Sequence, residues 1–185
     1  MPLILGLLFF VNGWALHPPP PPVYLGQDGR VEFTSDAPLE LIEAASNQMR
    51  GALDSDKGTF AFTVEIATFE GFNNPLQREH FKENYLEIHR FPKATFVGKI
   101  IEKVDLSQPG TYTVRAKGKL TIHGVTQERI IKSEVVSTGD RLQIRAFFTV
   151  LLKEHDITIP KIVHQKIAEE VEVRITADLV KNGTL

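Results

Sequence analysis

From Arg30 onward the chain is dominated by alternation of apolar and polar residues. Residues 58–67 read GTFAFTVEIA, with Phe60, Phe62, Val64 and Ile66 on one face and Thr59, Ala61, Thr63 and Glu65 on the other. Residues 111–122 alternate throughout. Tyr112, Val114, Ala116, Gly118, Leu120 and Ile122 share one face, opposite Thr113, Arg115, Lys117, Lys119 and Thr121. Residues 142–152 and 171–179 repeat the pattern through Leu142, Ile144, Ala146, Phe148, Val150 and Leu152, and through Val171, Val173, Ile175, Ala177 and Leu179. A period of two sustained over such lengths predicts antiparallel strands with one buried and one wet face. Less regular strands are expected at 31–35, 41–46, 93–104 and 127–137, with a short one at 47–53. Turn residues punctuate them at Pro38, 55–58, 107–110, His123-Gly124 and 138–140.

Two stretches depart from this period. Residues 74–88, NPLQREHFKENYLEI, open with Asn74 as a helix N-cap and Pro75 as a first helical residue. Glu79, Glu83 and Glu87 recur at four-residue spacing, and Phe81, Tyr85 and Ile88 form an apolar stripe. This predicts one short helix linking two strands. Residues 160–170 predict a shorter helical turn before the last strand.

Seven to nine strands with one helical crossover imply an all-β barrel or sandwich, and strands of ten to twelve residues favour the barrel. Closure also removes the edges that long strands would otherwise expose. An eight-stranded barrel is filled by side chains or holds one small ligand. The inward positions mix Gly98, Ala116, Gly118 and Ala146 with Phe60, Phe62, Phe96, Tyr112 and Phe148. Small residues opposite aromatics leave an apolar slot, or the aromatics occupy that space at native packing density. The pattern leaves both readings open.

The 185 residues, 42% apolar and 24% charged, make one globular domain plus a tail and exclude disorder for the bulk of the chain. The formal charge of −2 excludes nucleic-acid binding through phosphate neutralisation alone. With no cysteine, disulfides, thiol catalysis, thiolate metal sites and an N-terminal lipid anchor are excluded. Residues 3–16, LILGLLFFVNGWAL, are too short to span a bilayer and fit the apolar region of a secretory signal, with Gly13 and Ala15 near a cleavage site. No Lys or Arg precedes the run. His17 and the five prolines 18–22 open a stiff linker over 17–28, either a spacer or a ligand for an aromatic groove. The expected domain is 29–181.

Two segments together resemble the YceI-like family of lipid- or polyisoprenoid-binding periplasmic proteins. These are GKLTIHGVT at 118–126 and REHFKENYLEIHRFPKATF at 78–96. Arg78 matches the family's helix start, Phe91-Pro92 stands for its Tyr-Pro, and Thr95-Phe96 matches its Thr-Phe strand. Residues 120–126 match its hairpin. The resemblance runs from about Gly29 to Leu179. It departs at 36–44, which is compact and acidic, and at 156–160. It implies an extended eight-stranded antiparallel lipocalin-like barrel with one short crossover helix, exported and carrying a long isoprenoid or fatty chain in an apolar tunnel. The expected tunnel lining is Phe60, Phe62, Phe96, Gly98, Tyr112, Val114, Ala116, Gly118, Ala146 and Phe148, so that Gly118→Phe would plug it. Arg78 is the candidate for the lipid head group, against a plain role pairing with a neighbouring Glu. An apolar lipid is the expected partner, with homodimerisation open and no nucleic acid. No cofactor beyond a bound lipid is expected. A filled barrel serving as a structural or interaction module is the alternative.

Other chemistry is weaker. His80, Glu83 and His89 are of metal-ligand type but lack compact spacing, so no metal site is expected. His123 fits a hairpin-fixing hydrogen bond better than catalysis, and His155 and His164 have no visible partner. Arg115, Lys117 and Lys119 form a basic stripe on a wet strand face. Asn182-Gly183-Thr184 fits a glycosylation acceptor. No Gly-x-Ser-x-Gly, P-loop or paired-carboxylate motif is present, and a non-catalytic protein is expected.

Overall fold

The computed structural model describes residues 23–182. The expected secretory segment and the prolines lie outside them, as does most of the 182–184 acceptor sequence. Eight antiparallel strands follow one another around a closed barrel in chain order. They are β1 (Val23–Ala37), β2 (Glu40–Asp54), β3 (Thr59–Glu65), β4 (Lys93–Ile100), β5 (Gly110–Ile122), β6 (Val125–Ser137), β7 (Arg141–Leu151) and β8 (Glu170–Lys181). β8 closes the barrel on β1, with Val31 opposite Ile175 and Phe33 opposite Val173. The alternating positions read from the sequence point inward: Phe60, Val64, Val114, Leu120, Leu142, Val150, Val173 and Leu179 are all buried.

The sequence reading misplaced the first two strands. β1 begins at Val23, inside the segment expected as linker, and residues 41–53 form one strand rather than two. Bulges between Gly26 and Gly29 and between Gly29 and Val31 shift the register of β1 against β2. A bulge adds one residue and moves the buried set to the other parity. On β2 the buried positions accordingly pass from Ile42, Ala44 and Ser46 to Met49 and Leu53. The lapse of alternation at Asn47-Gln48 is this change of phase. β4 also stops at Ile100, short of the expected residue 104.

The expected helix is present but breaks in two. Asn74 caps α1 (Pro75–His80), its side chain accepting from the Gln77 amide. The chain then widens into a π-helical turn, Phe81–Tyr85, where the Leu86 amide donates to the Phe81 carbonyl. Between β7 and β8 the shorter helical turn is a 3-10 turn at Lys161–Val163. The β5–β6 hairpin turns on two residues, His123 and Gly124, both at positive φ (50° and 73°). This is the geometry that matches strand twist in a two-residue loop.

The two ends of the barrel differ. At the end where β2–β3, β4–β5 and β6–β7 connect, the interior is filled. Tyr24, Leu106, Leu142 and Leu179 are at most 1% exposed, and the Tyr24 hydroxyl donates to the Gly139 carbonyl at 2.5 Å. At the other end the β1–β2 hairpin, α1 with its π-turn and the 152–169 connection surround an opening.

Candidate functional site: an apolar cavity in the open half of the barrel

A cavity of about 400 Å³ occupies the open half of the barrel. Its wall combines inward strand residues, among them Val31, Phe33, Ile42, Met49, Phe62, Ala94, Phe96, Phe148 and Val173, with Phe81, Tyr85 and Leu86 from the π-turn. Ile157, Val163 and Ile167 close it from the β7–β8 side. Phe81 is the keystone of the cover: its ring lies 5.2 Å from Phe33, 4.9 Å from Phe72 and 5.9 Å from Phe69. Polar side chains gather at the mouth, where Glu40, Asn74, Gln77, His80 and Lys166 meet the opening. Glu40 accepts from Asn73 Nδ2 at 3.2 Å and from Gln77 Nε2 at 2.9 Å. Burial holds the Tyr85 phenol above its ordinary pKa.

The YceI-like domain family matches residues 27–179 of the chain. The chain belongs to the YceI-like family. Among solved structures, this YceI-like chain is similar to a polyisoprenoid binding domain from Saccharophagus degradans implicated in plant cell wall breakdown. That likeness has a TM-score of 0.75 and 11% identity over 88% of this chain and 99% of the other. It is also similar to BcnA of Burkholderia cenocepacia, with TM-score 0.67 and 18% identity over 81% and 95%. The YCEI protein of Campylobacter jejuni gives TM-score 0.58 and 15% identity over 76% and 85%. At these identities the likeness is one of fold. A curated UPF0312 protein of Pseudomonas savastanoi is 27% identical over 103 residues, 49% of this chain and 51% of that protein. The chain spans about half the length of the curated relatives it matches.

The YceI-like barrel separates the residues expected to line one tunnel. Phe62, Phe96 and Phe148 line the cavity. Phe60, Tyr112, Val114 and Ala116 do not; they belong to the filled half, where Phe60 is 5% and Val114 2% exposed. Ala146, opposite the cavity-lining Ile175, does not line the cavity either. The Tyr112 hydroxyl donates to the Asp105 and Gln108 carbonyls at 3.1 and 3.0 Å, at the closed end. Gly98 and Gly118 face each other across β4 and β5, and Phe60 is opposite Gly98 on β3. A Cβ on Gly118 would meet the Val97 carbonyl at 2.6 Å and the Phe96 ring at 2.9 Å. The small residues there make room for Phe60 and Phe96, whose rings lie 5.0 Å apart, rather than for a ligand. Gly118→Phe would therefore disrupt strand contact instead of plugging a tunnel. At Gly98 and Gly118 the space is taken by aromatics, and the open volume lies instead in the other half, beside Phe62, Phe96 and Phe148.

Arg78 is exposed on α1 and is not among the residues lining the cavity. His80 stands at the mouth, while Glu83 and His89 pair with each other at 3.1 Å, away from it. Among the described residues no group of three His, Asp or Glu gathers to hold a metal. Arg115 of the basic stripe is tied to Glu102 at 2.7 Å. His123 is the hairpin anchor expected of it. Its Nδ1 lies 3.0 Å from the His155 carbonyl and its Nε2 2.7 Å from Glu87. Hydrogen bonds from Arg90 and then His123 hold the Glu87 carboxyl below the ordinary range. This cluster pins the end of the π-turn segment to the β5–β6 hairpin. His155 is fully buried, with Nδ1 3.1 Å from the Val125 carbonyl.

The sequence reading missed Phe33, Phe69 and Phe72, which build the cover with Phe81. Phe69 and Phe72 fall in the irregular segment FEGFNN, where strand periodicity has no say. Two aromatics in a loop are the available signal, because apolar rings outside regular elements need a surface to cover.

Proposed function

We propose that this YceI-like protein is an exported, non-catalytic binder of a single long apolar chain, isoprenoid or fatty, held in the open half of the barrel. The observation that supports this most is an aromatic-walled cavity whose charged groups, Glu40, His80 and Lys166, stand at the mouth, with only hydroxyls, those of Ser35, Thr63 and Thr95 among them, on the wall. An apolar cavity of about 150 Å³ accommodates one benzene, so about 400 Å³ accommodates roughly fifteen carbons. At about 0.8 kcal/mol per methylene, burying such a chain yields about 12 kcal/mol before ordering and immobilisation costs. The fold shared with a domain described as polyisoprenoid-binding supports the same ligand class. Export rests on the apolar run at 3–16. A carrier role, rather than turnover, fits a mouth whose carboxylate, Glu40, is engaged by two amides.

The test is purification without detergent, organic extraction and mass spectrometry, beside native mass spectrometry of the intact protein. A stoichiometric single-chain lipid supports the reading. A clean unliganded mass that persists when such lipids are supplied overturns it.

A further inference from the structure

We infer that the outer wall of β4, β5 and β6 is a docking surface for an anionic lipid bilayer, on which the barrel lies on its side. The inference is independent of what the cavity holds.

This wall is basic in an otherwise acidic chain. Residues 93–137, connections included, hold eight cations and four carboxylates, although the whole chain carries a net charge of −2. The flanking strands do not cancel the excess. Glu65, the one charged residue of β3, pairs with Lys93 at 3.0 Å, and β7 carries Arg141 and Arg145. Across the barrel, β8, β1 and β2 hold nine carboxylates and four cations. An asymmetry of this kind orients the molecule with the basic wall toward an anionic surface.

Neutralisation within the wall is incomplete. Arg115 is tied to Glu102, and Glu134 reaches Arg145. Lys99, Lys117, Lys119 and Lys132 are exposed and, among the described residues, make no ion pair. Glu128, opposite Lys119, is the single unpaired carboxylate on these three strands. Lys99 stands directly opposite Lys117, and Arg115 directly opposite Lys132. Like charges in such cross-strand positions destabilise a sheet, and external anions relieve them. Neighbouring strands lie about 4.8 Å apart and alternate residues about 7 Å, so the cations act together within a Debye length of about 8 Å.

Composition selects a bilayer over a protein. The outward positions of β4–β6 carry five lysines, one arginine and no aromatic residue. Protein interfaces are depleted in lysine and enriched in arginine and aromatics, whereas attachment to anionic lipid rests on clustered basic residues. Val97 and Ile130, 51% and 58% exposed, stand across from Lys119 and Lys117, placed to enter the headgroup layer.

The test uses the full chain, which has no cysteine. Ile130→Cys on the wall and Thr176→Cys on β8, both exposed positions, each receive a polarity-sensitive fluorophore. Each is titrated with phosphatidylcholine vesicles, with and without phosphatidylglycerol, at low and at physiological salt. The expected result is a blue shift at 130 but not at 176, with anionic vesicles only, weakening as salt rises. Adding Lys99→Gln and Lys117→Gln should raise the lipid concentration for half-maximal shift roughly 25-fold, about fivefold per cation. The melting temperature should hold or rise, because a like-charge pair is removed. Lys161→Gln with Lys166→Gln, the same charge change at the open end, should leave the half-maximal concentration within about twofold. A shift at 176 as large as at 130, a shift with neutral vesicles, no shift, or an equal loss from the two lysine pairs overturns the inference. So does a label at 130 that ignores vesicles and responds to soluble polyglutamate, which would give the wall to an acidic protein. Selective docking by a protein that never retains lipid upholds the inference and removes the carrier reading instead.

Discussion

Ala94 is the position at which the cavity can be filled without disturbing its wall. It points inward from β4 among much larger neighbours and lines the cavity beside Phe96 and Val64. Ala94→Phe adds six ring carbons. On the scale of one benzene per about 150 Å³, the new ring takes more than a third of the 400 Å³. Excluding six ligand carbons at about 0.8 kcal/mol each sets an upper limit near 5 kcal/mol. A flexible chain that slides outward recovers part of this, so the expected loss is about 2–3 kcal/mol, or roughly 30- to 150-fold in Kd. The ring enters open apolar volume, so the melting temperature should hold or rise slightly. The assay is displacement of a fluorescent fatty-acid probe, with thermal unfolding run in parallel. Ala61→Phe makes the same chemical change on the exposed face of β3 and should leave Kd unchanged. A folded Ala94→Phe protein that binds the probe like wild type would refute the placement of the ligand.

Three other substitutions separate fold from site. Leu106→Ala removes a fully buried plug from the closed end and should cost about 2–5 kcal/mol in denaturant unfolding while leaving Kd unchanged. Phe81→Ala removes three ring contacts over the cavity, each worth about 0.5–1.5 kcal/mol, and should raise the ligand dissociation rate by roughly tenfold or more in stopped-flow displacement. Glu87 has a lowered pKa in the fold, so its stabilising share is full above the ordinary glutamate value of about 4.3 and is lost as pH falls through its folded value. Glu87→Gln should therefore lower the melting temperature at neutral pH, with the gap to wild type closing on acidification; a gap constant with pH would contradict the ion-pair role.

The fold was legible in the sequence wherever one face is buried without interruption. Residues 111–122 and 171–179 keep a single phase and appear as β5 and β8 with inward sets as expected. Residues 41–53 were divided because the β1–β2 register shift changes which parity is buried, and a change of phase resembles a strand end. The site was harder to read for a related reason. Alternation states that Phe60, Phe62, Phe96 and Phe148 all point inward, but not at what height in the barrel. Height depends on strand register, which places Phe60 beside the Gly98–Gly118 pair and Phe148 in the open half. The cover of Phe33, Phe69, Phe72 and Phe81 joins a strand, a loop and a π-turn, and no period links such positions. Arg78 was proposed from a motif at the helix start, whereas the mouth opens toward His80 and Lys166.

The central claim is that the apolar volume of the open half sets what the protein binds. It is tested most directly by affinity across a series of single-chain lipids of increasing length, with the head group held constant. Each added methylene should strengthen binding about fourfold until the cavity is full at roughly fifteen carbons, after which the gain should flatten. Affinity that ignores chain length, or follows the head group instead, would contradict the account.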